Sequence, residues 1–214
     1  MSRIALLAVS ALLVATVAVA GAGGGEPASD TGASLLVRGD PEDLVVQLEA
    51  LPSGFQMVGE DSQSPNEYSV VYFHPEALVS GTDSGTNLLA VVVNLGIYED
   101  AAAAGEQFTA QGSMDRDSIM EDIREASEGA TPIAVQPYTV QVEGSDQVLA
   151  FGVEYAIGST HLFEYRYRFI VGNALANVVI TALASEGGDE PSALPDRARA
   201  LVEEQAARLN SARS

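Results

Sequence analysis

The segment VLAFGVEYAIGSTHLFEYRYRFIVGNALANVVITAL (Val148–Leu183) decides the fold, because two turn signals divide it into three strand-length pieces. The breaks, Gly158–Thr160 and Gly172-Asn173, are short and contain glycine, as tight hairpin loops do. β-Branched and aromatic residues dominate the pieces between them. Strands joined by such short loops pair with their neighbours in alternating directions, so the segment predicts an antiparallel sheet.

Side-chain alternation gives the first of these strands one apolar face. We predict that this face is buried, and it comprises Leu149, Phe151, Val153, Tyr155 and Ile157.

The second strand, His161–Val171, separates charge from aromatic rings. The charged side carries Glu164, Arg166 and Arg168. The other side carries Phe163, Tyr165, Tyr167 and Phe169. This division is typical of a strand buried on one face only, which predicts a solvated charged side.

The same strand supplies the candidate ligand site. Its rings, with Tyr155 placed opposite them, form either a stripe of the core or the wall of a ligand groove. In the second interpretation an arginine anchors an anionic ligand, since two arginines on one strand stand out in so acidic a chain. The candidate ligand-binding residues are Tyr155, Tyr165, Arg166, Tyr167 and Arg168.

Helices and further strands surround this segment. The pattern predicts helices from Asp40 to Leu51, from Asp100 through Phe108, from Asp115 to Ser127 and from Ser192 to Ser211. Leu88–Tyr98 is almost continuously apolar, which predicts a central strand covered on both faces. The fold class is therefore α+β, a twisted antiparallel sheet flanked by helices. One interpretation of the order of elements is two degenerate halves, each with strands before a helix.

Charge excludes some partners. The chain has 30 acidic and 10 basic residues, a net charge of −20, and all of the basic residues are arginine. Nucleic acid and anionic lipid need clustered basic residues, so we expect neither as a partner. Three explanations stay open for the acidity: a GC-rich genome, a high-salt habitat, and basic or cationic partners.

The N-terminus predicts export. Ile4–Ala20 is uncharged, follows Arg3, and ends in small residues that suit signal peptidase. We predict a signal peptide at 1–22, a flexible linker at 23–39 and a single α+β domain at 40–211. The alternative is a membrane anchor formed by residues 4–20, although this run is shorter than the ~20 residues of a usual spanning helix. The absence of cysteine excludes both disulfides and a lipidated cysteine.

Catalytic motifs are weak. Asp30-Thr31-Gly32 and Asp83-Ser84-Gly85 match the aspartic protease tripeptide but lie too close together for two lobes. His74 and His161 form no zinc-binding pair, and the acidic clusters near 115–122 fall on a predicted helix. We therefore predict no catalytic residue, no metal ligand and no cofactor, and an enzyme is the less favoured class.

Three stretches resemble a family. ALPSGFQMV (50–58), LGIYEDAAAAGEQF (95–108) and YRFIVGNALANVVI (167–180) are similar to segments of uncharacterised exported bacterial α+β proteins. The arrangement from Asp40 to Leu209 also resembles the PsbP/Mog1-like sandwich of an antiparallel sheet and helices. The resemblance implies a binding or accessory role outside the membrane, and it assigns no site residue.

Three functions follow as hypotheses. The first is an exported, non-enzymatic binding or accessory domain for an unknown ligand or envelope protein. The second is a structural cell-envelope protein, which predicts a large exposed apolar patch and no pocket. The third is a hydrolase with a scattered acidic site, which requires His74 or His161 beside two carboxylates in a pocket.

Overall fold

Seven antiparallel strands form one open sheet in a computed structural model that describes residues 35–80, 87–111, 116–126, 129–185 and 188–214. The strands are β1 (Gln56–Ser64), β2 (Glu67–Phe73), β3 (Leu88–Ile97), β4 (Ala130–Pro137), β5 (Gln147–Ile157), β6 (Thr160–Val171) and β7 (Ala174–Leu183). Their order across the sheet is β1-β2-β3-β7-β6-β5-β4. The sheet thus consists of two meanders, β1–β3 and β4–β7, whose last strands pair at the centre.

The helices lie on both faces of this sheet. They are α1 (Pro41–Leu44), α2 (Ala77–Ser80), α3 (Ala101–Ala110), α4 (Arg116–Ala126) and α5 (Leu194–Ser211), with a short 3-10 turn at Leu48–Ala50. Asp100 caps α3 as predicted, since its carboxylate accepts a hydrogen bond of 2.8 Å from the Ala103 amide. The predicted α+β class is confirmed.

The two predicted hairpins are confirmed. β5 pairs with β6 up to Ile157↔Thr160, and β6 pairs with β7 up to Val171↔Ala174. Two residues close each loop, and Gly158 and Gly172 have φ values of +62° and +61°. Two-residue hairpin loops need this left-handed conformation, which glycine adopts without steric cost.

One face of the sheet, called here the α5 face, packs against α5. One side of this helix is buried, and it includes Leu194, Ala198, Leu201, Val202, Gln205 and Leu209. The sheet side of this core includes Tyr165, Tyr167 and Phe169 of β6, which are 7%, 1% and 0% exposed. The larger hydrophobic core of the described residues lies between these two layers.

The opposite face, called here the α4 face, is also covered. Ile119 and Ile123 of α4 pack against a cluster that includes Phe151, Val153 and Tyr155 of β5. The prediction of a buried β5 face is therefore confirmed. The prediction of a solvated charged side on β6 is wrong, because Glu164 and Arg168 on this face are buried beneath the helical layer.

The helix predicted from Asp40 to Leu51 is also wrong beyond its first turn. It begins at Asp40 as expected, where the carboxylate accepts from the Glu42 amide, but α1 ends at Leu44. Beyond Leu44, the side-chain amide of Gln205 forms hydrogen bonds with the backbone. Its Oε1 accepts from the Val46 amide, and its Nε2 donates to the Leu44 carbonyl, both at 2.8 Å. These bonds hold the chain extended against α5.

The two ends of the described chain pair with each other. The Arg38 amide donates to the Ala212 carbonyl at 3.1 Å, and the Ser214 amide donates to the Leu36 carbonyl at 3.0 Å. Val37, which lies within the predicted linker at 23–39, is buried in the core. The predicted signal peptide lies outside the described residues. Within the part of the chain that the structure describes, no helix is both long and apolar enough to span a membrane.

Candidate functional site

A cleft of about 180 Å³ opens on the α5 face, where β4, β5 and β6 extend beyond the cover of α5. Its wall combines aromatic rings, carboxylates and backbone. The lining residues are Ala134, Gln136, Pro137, Tyr138, Gly152, Val153, Glu154, Phe163, Glu164, Tyr165 and Glu190.

The cleft exists because β5 lacks a side chain at Gly152. This glycine pairs with Gln136 of β4 on one side and with Tyr165 of β6 on the other. Paired residues of neighbouring strands point to the same face, so a side chain at 152 would stand between those two. The next pair along β5 and β6, Glu154↔Phe163, places a carboxylate and a ring at the same opening.

Two tyrosines form a rigid aromatic wall. The ring centroids of Tyr138 and Tyr165 are 5.2 Å apart, with an interplanar angle of 73°. Tyr167 lies deeper, 6.3 Å from each of these rings. Edge-to-face contacts of this kind hold aromatic rings in fixed orientations. The wall is therefore preorganised.

Two carboxylates lie at the opening of the cleft, those of Glu154 and Glu190. The Tyr165 hydroxyl donates a hydrogen bond of 2.7 Å to Glu190 Oε1. Burial, and then this bond to the Glu190 carboxylate, raise the pKa of Tyr165. Glu154 is 29% exposed and lies 3.7 Å from Nδ1 of His161, which is not a lining residue. The described residues that line the cleft include no arginine.

The structure does not bring the five predicted site residues into one groove. Tyr165 lines the cleft, and Tyr167 packs behind it. Tyr155, Arg166 and Arg168 point to the α4 face, because successive residues of a strand alternate between faces. The placement of Tyr155 opposite the aromatic stripe is wrong, since it pairs with Leu162.

Both arginines already have partners within the protein. Arg166 Nε bonds to Glu164 Oε1, and its Nη1 lies 3.8 Å from Asp122. Burial by itself disfavours the charged form of Arg166, but the Glu164 carboxylate outweighs it and the pKa of Arg166 is raised. Arg168 donates to the Asn177 side chain at 2.9 Å, and burial lowers its pKa.

Sequence reasoning missed most residues of the cleft, including Tyr138, Gly152, Glu154 and Glu190. The available signal was Gly152, since a glycine inside a strand marks a weak point, a bulge or a close approach. Tyr138 follows β4 and Glu190 lies between β7 and α5, so only the tertiary structure reveals that both are close to Tyr165.

The residues considered for catalysis are dispersed. His74 is 9% exposed, its ring lies edge-on to Phe55 at 5.2 Å, and its Nδ1 accepts from the Ala77 amide. Both aspartic protease tripeptides lie outside the described residues. Within the described ranges, no group of three or more His, Asp or Glu residues has the geometry of a metal site.

The fold and the cleft define an open antiparallel α+β domain with a ligand-sized opening near one edge of its sheet. No family model matches the sequence, and no curated protein matches it. The solved structures to which it is similar include the extracellular domain of PknH from Mycobacterium tuberculosis, with 9% identity, a TM-score of 0.40 and coverage of 80% of this chain and 98% of that one.

Two further structures show a similarly loose likeness. LpqN, which is involved in cell envelope biogenesis of Mycobacterium tuberculosis, has 14% identity, a TM-score of 0.34 and coverage of 72% and 78%. A variant of Mog1 has 15% identity, a TM-score of 0.36 and coverage of 75% and 86%. The predicted loose resemblance to a Mog1-like fold is confirmed, and at these scores we infer neither ligand nor activity from it.

Proposed function

We propose that this protein is an exported, non-enzymatic binding or accessory domain, and that the cleft beside Gly152 is its ligand site. The observation that carries the proposal is an open, aromatic-lined cleft at the position where β5 lacks a side chain, Gly152. Concave sites with rigid apolar walls and a few polar groups are where small ligands bind. Glu154 and Glu190 supply the polar groups here.

The alternatives receive less support from the described residues. A purely structural envelope protein predicts one large exposed apolar patch. The large exposed hydrophobic residues include Met57 and Val58 on β1 and Ile133 on β4, which are opposite edges of the sheet. A hydrolase requires a histidine beside two carboxylates in a pocket, and His161 is not among the residues that line the cleft.

Export makes a prediction about mass. We expect the protein recovered from the envelope or the medium of its source to begin near Gly21 or Gly23, because the small residues at 18–22 suit signal peptidase. Intact mass spectrometry measures the start directly. Full-length protein confined to membranes would refute cleavage and support an anchor at 4–20.

If the cleft is the ligand site, Gly152→Val should abolish binding without unfolding the protein. The added Cβ would lie 3.8 Å from Tyr165 Cε1, an ordinary contact, and Gly152 has no positive φ. Valine favours strands, so we expect the stability to stay within ~1 kcal/mol of the parent while the side chain fills the cleft. The parent protein is titrated with a balanced set of cationic, anionic and neutral fragments and followed by amide-detected NMR. Fragments that bind should shift the amide signals around the cleft in the parent, and these shifts should be absent in the Gly152→Val variant.

Gly59→Val is the matched control. Gly59 is also inside a strand, at the far edge of the sheet, and its added Cβ would approach Val71 only at 4.0 Å. This variant should retain all fragment-induced shifts. The proposed site would be refuted if no fragment shifted the amide signals of the cleft in the parent protein. It would also be refuted if the fragments bound the Gly152→Val variant equally well.

A further inference from the structure

We infer that the cleft binds an organic cation, specifically the trimethylammonium group of a small quaternary amine. The inference rests on the proposed function and adds the chemical class of the ligand. It also reverses the sign of the ligand predicted from the sequence, where two arginines favoured an anion.

Charge at the opening favours a cation. Glu190 is exposed and Glu154 half-buried, and they contribute carboxylates from a loop and from β5. Arg166 and Arg168, the predicted anion anchors, point to the opposite face and bond to Glu164 and Asn177. An anion entering the cleft would meet two like charges, whereas a cation would meet two opposite ones.

The aromatic wall favours a methylated cation over a metal ion. Tyr138, Phe163 and Tyr165 line the cleft, and the edge-to-face pair of tyrosines presents ring surfaces in two orientations. Ring faces attract cations through their quadrupoles and contact methyl groups by dispersion, and aromatic cages for quaternary ammonium use both effects. A hydrated metal ion would instead require several oxygen ligands in a closed shell.

The hydroxyl of Tyr165 fixes one carboxylate in place. Because it donates to Glu190 Oε1 at 2.7 Å, the carboxylate is held beside the ring and not left to rotate freely in solvent. Its second oxygen stays available to a ligand. A cation can thus contact the ring and the carboxylate at the same time.

Size limits the ligand to a small head group. The volume of the cleft is about 180 Å³. Drug-sized ligands need roughly 300 Å³ or more. The net charge of −20 would also concentrate small cations near the surface and speed their encounter with the cleft.

The test uses three probes that share a trimethyl head and differ in charge. They are choline, its uncharged isostere dimethylbutanol, in which carbon replaces nitrogen, and the anion dimethylbutanoate. Titration of the protein with NMR detection should show choline shifting the amides of Gly152, Glu154 and Tyr165. Its affinity should exceed that of dimethylbutanol by about tenfold, as a cation–π contact with a nearby carboxylate provides.

Variants that each remove one negative charge show which carboxylates cause the preference for choline over dimethylbutanol. Glu190→Gln and Glu154→Gln keep the side-chain size, and each should reduce the preference for choline over dimethylbutanol by at least ~threefold. Glu106→Gln, an equal charge change at an exposed position of α3, should leave that preference unchanged. A reduction of the same size in all three would show a general charge effect and would overturn the inference.

The remaining outcomes separate the inference from the proposed function. Equal binding of dimethylbutanol, tighter binding of dimethylbutanoate, or no shift with choline would overturn the cation inference. Fragments of another class that still bind at the cleft would leave the proposed function standing. A titration with phosphocholine distinguishes two sources of the trimethylammonium group. Tighter binding of choline than of phosphocholine indicates a free solute, and tighter binding of phosphocholine indicates a lipid head group.

Discussion

Replacing Glu164 with alanine is expected to lower the free energy of unfolding by about 3–5 kcal/mol, because it leaves a buried arginine without its main partner. Glu164 is only 5% exposed. Its Oε1 contacts Arg166 Nε, while its Oε2 accepts from the hydroxyls of Tyr155 and Thr181 at 3.4 and 3.3 Å. Alanine would leave all three donors without this acceptor.

The remaining partner of Arg166 cannot compensate. Asp122 lies 3.8 Å away, and its side chain is 66% exposed, so solvent screens the interaction. The side chain of Arg166 is only 14% exposed. Most of its charge would therefore remain buried without a counterion. Desolvation of the unpaired charge, and not the lost hydrogen bonds alone, gives the effect its size.

Chemical denaturation measures the loss, and two further variants define its origin. Asp122→Ala removes the exposed partner and should cost less than ~1 kcal/mol. The double variant Glu164→Leu/Arg166→Met replaces the pair with apolar side chains and should recover most of the stability lost by Glu164→Ala. If Glu164→Ala costs no more than Asp122→Ala, Glu164 does not hold a buried charge.

The part of the fold that could be predicted from the sequence is the part encoded locally. Gly158 and Gly172 supply the left-handed conformations that two-residue loops need, so β5, β6 and β7 were found within a residue or two. The stripe of α5 also repeats at helical spacing. Both patterns are properties of neighbouring residues and require no knowledge of the rest of the chain.

Burial could not be predicted where distant elements decide it. The alternation of Glu164, Arg166 and Arg168 is visible in the sequence, but among the described residues their cover comes from α3 and α4. Arg168, for example, donates to the Gln111 carbonyl at the end of α3. Charge on a strand normally indicates solvent. Here Glu164 and Arg166 neutralise each other, and Arg168 donates hydrogen bonds to Asn177 and Gln111, which allows the face to be covered.

The candidate site was only partly predictable for a related reason. Tyr165 was identified because aromatic residues are dense on β6, and it lines the cleft. The positions of its neighbours in the cleft, Gly152, Tyr138 and Glu190, depend on strand pairing and on where α5 begins. Strand alternation places Arg166 and Arg168 on the face opposite Tyr165 and Tyr167, so the predicted site residues do not share one groove.

Replacing Gln205 with alanine should lower the free energy of unfolding by about 2–4 kcal/mol, because it leaves one buried and one partly buried backbone group unsatisfied. Gln205 is 0% exposed and lies 159 residues from Val46 in sequence. Its amide accepts from the Val46 amide and donates to the Leu44 carbonyl, much as a neighbouring strand would. The Tyr72 hydroxyl holds the same segment by donating to the Val46 carbonyl at 2.9 Å.

Gln205→Glu distinguishes hydrogen bonding from packing, because glutamate keeps the size of the side chain but loses its donor. A carboxylate there would face the Leu44 carbonyl inside the core, so this variant should be at least as unstable as Gln205→Ala. Gln47→Ala is the control, since Gln47 is less buried and bonds mainly to its own turn; it should cost less than ~1 kcal/mol.

Hydrogen exchange adds a local measurement: in Gln205→Ala the Val46 amide should lose far more protection than the amides of β3. Unchanged protection at Val46 would mean that the extended segment, and the end of α1 at Leu44, do not depend on Gln205.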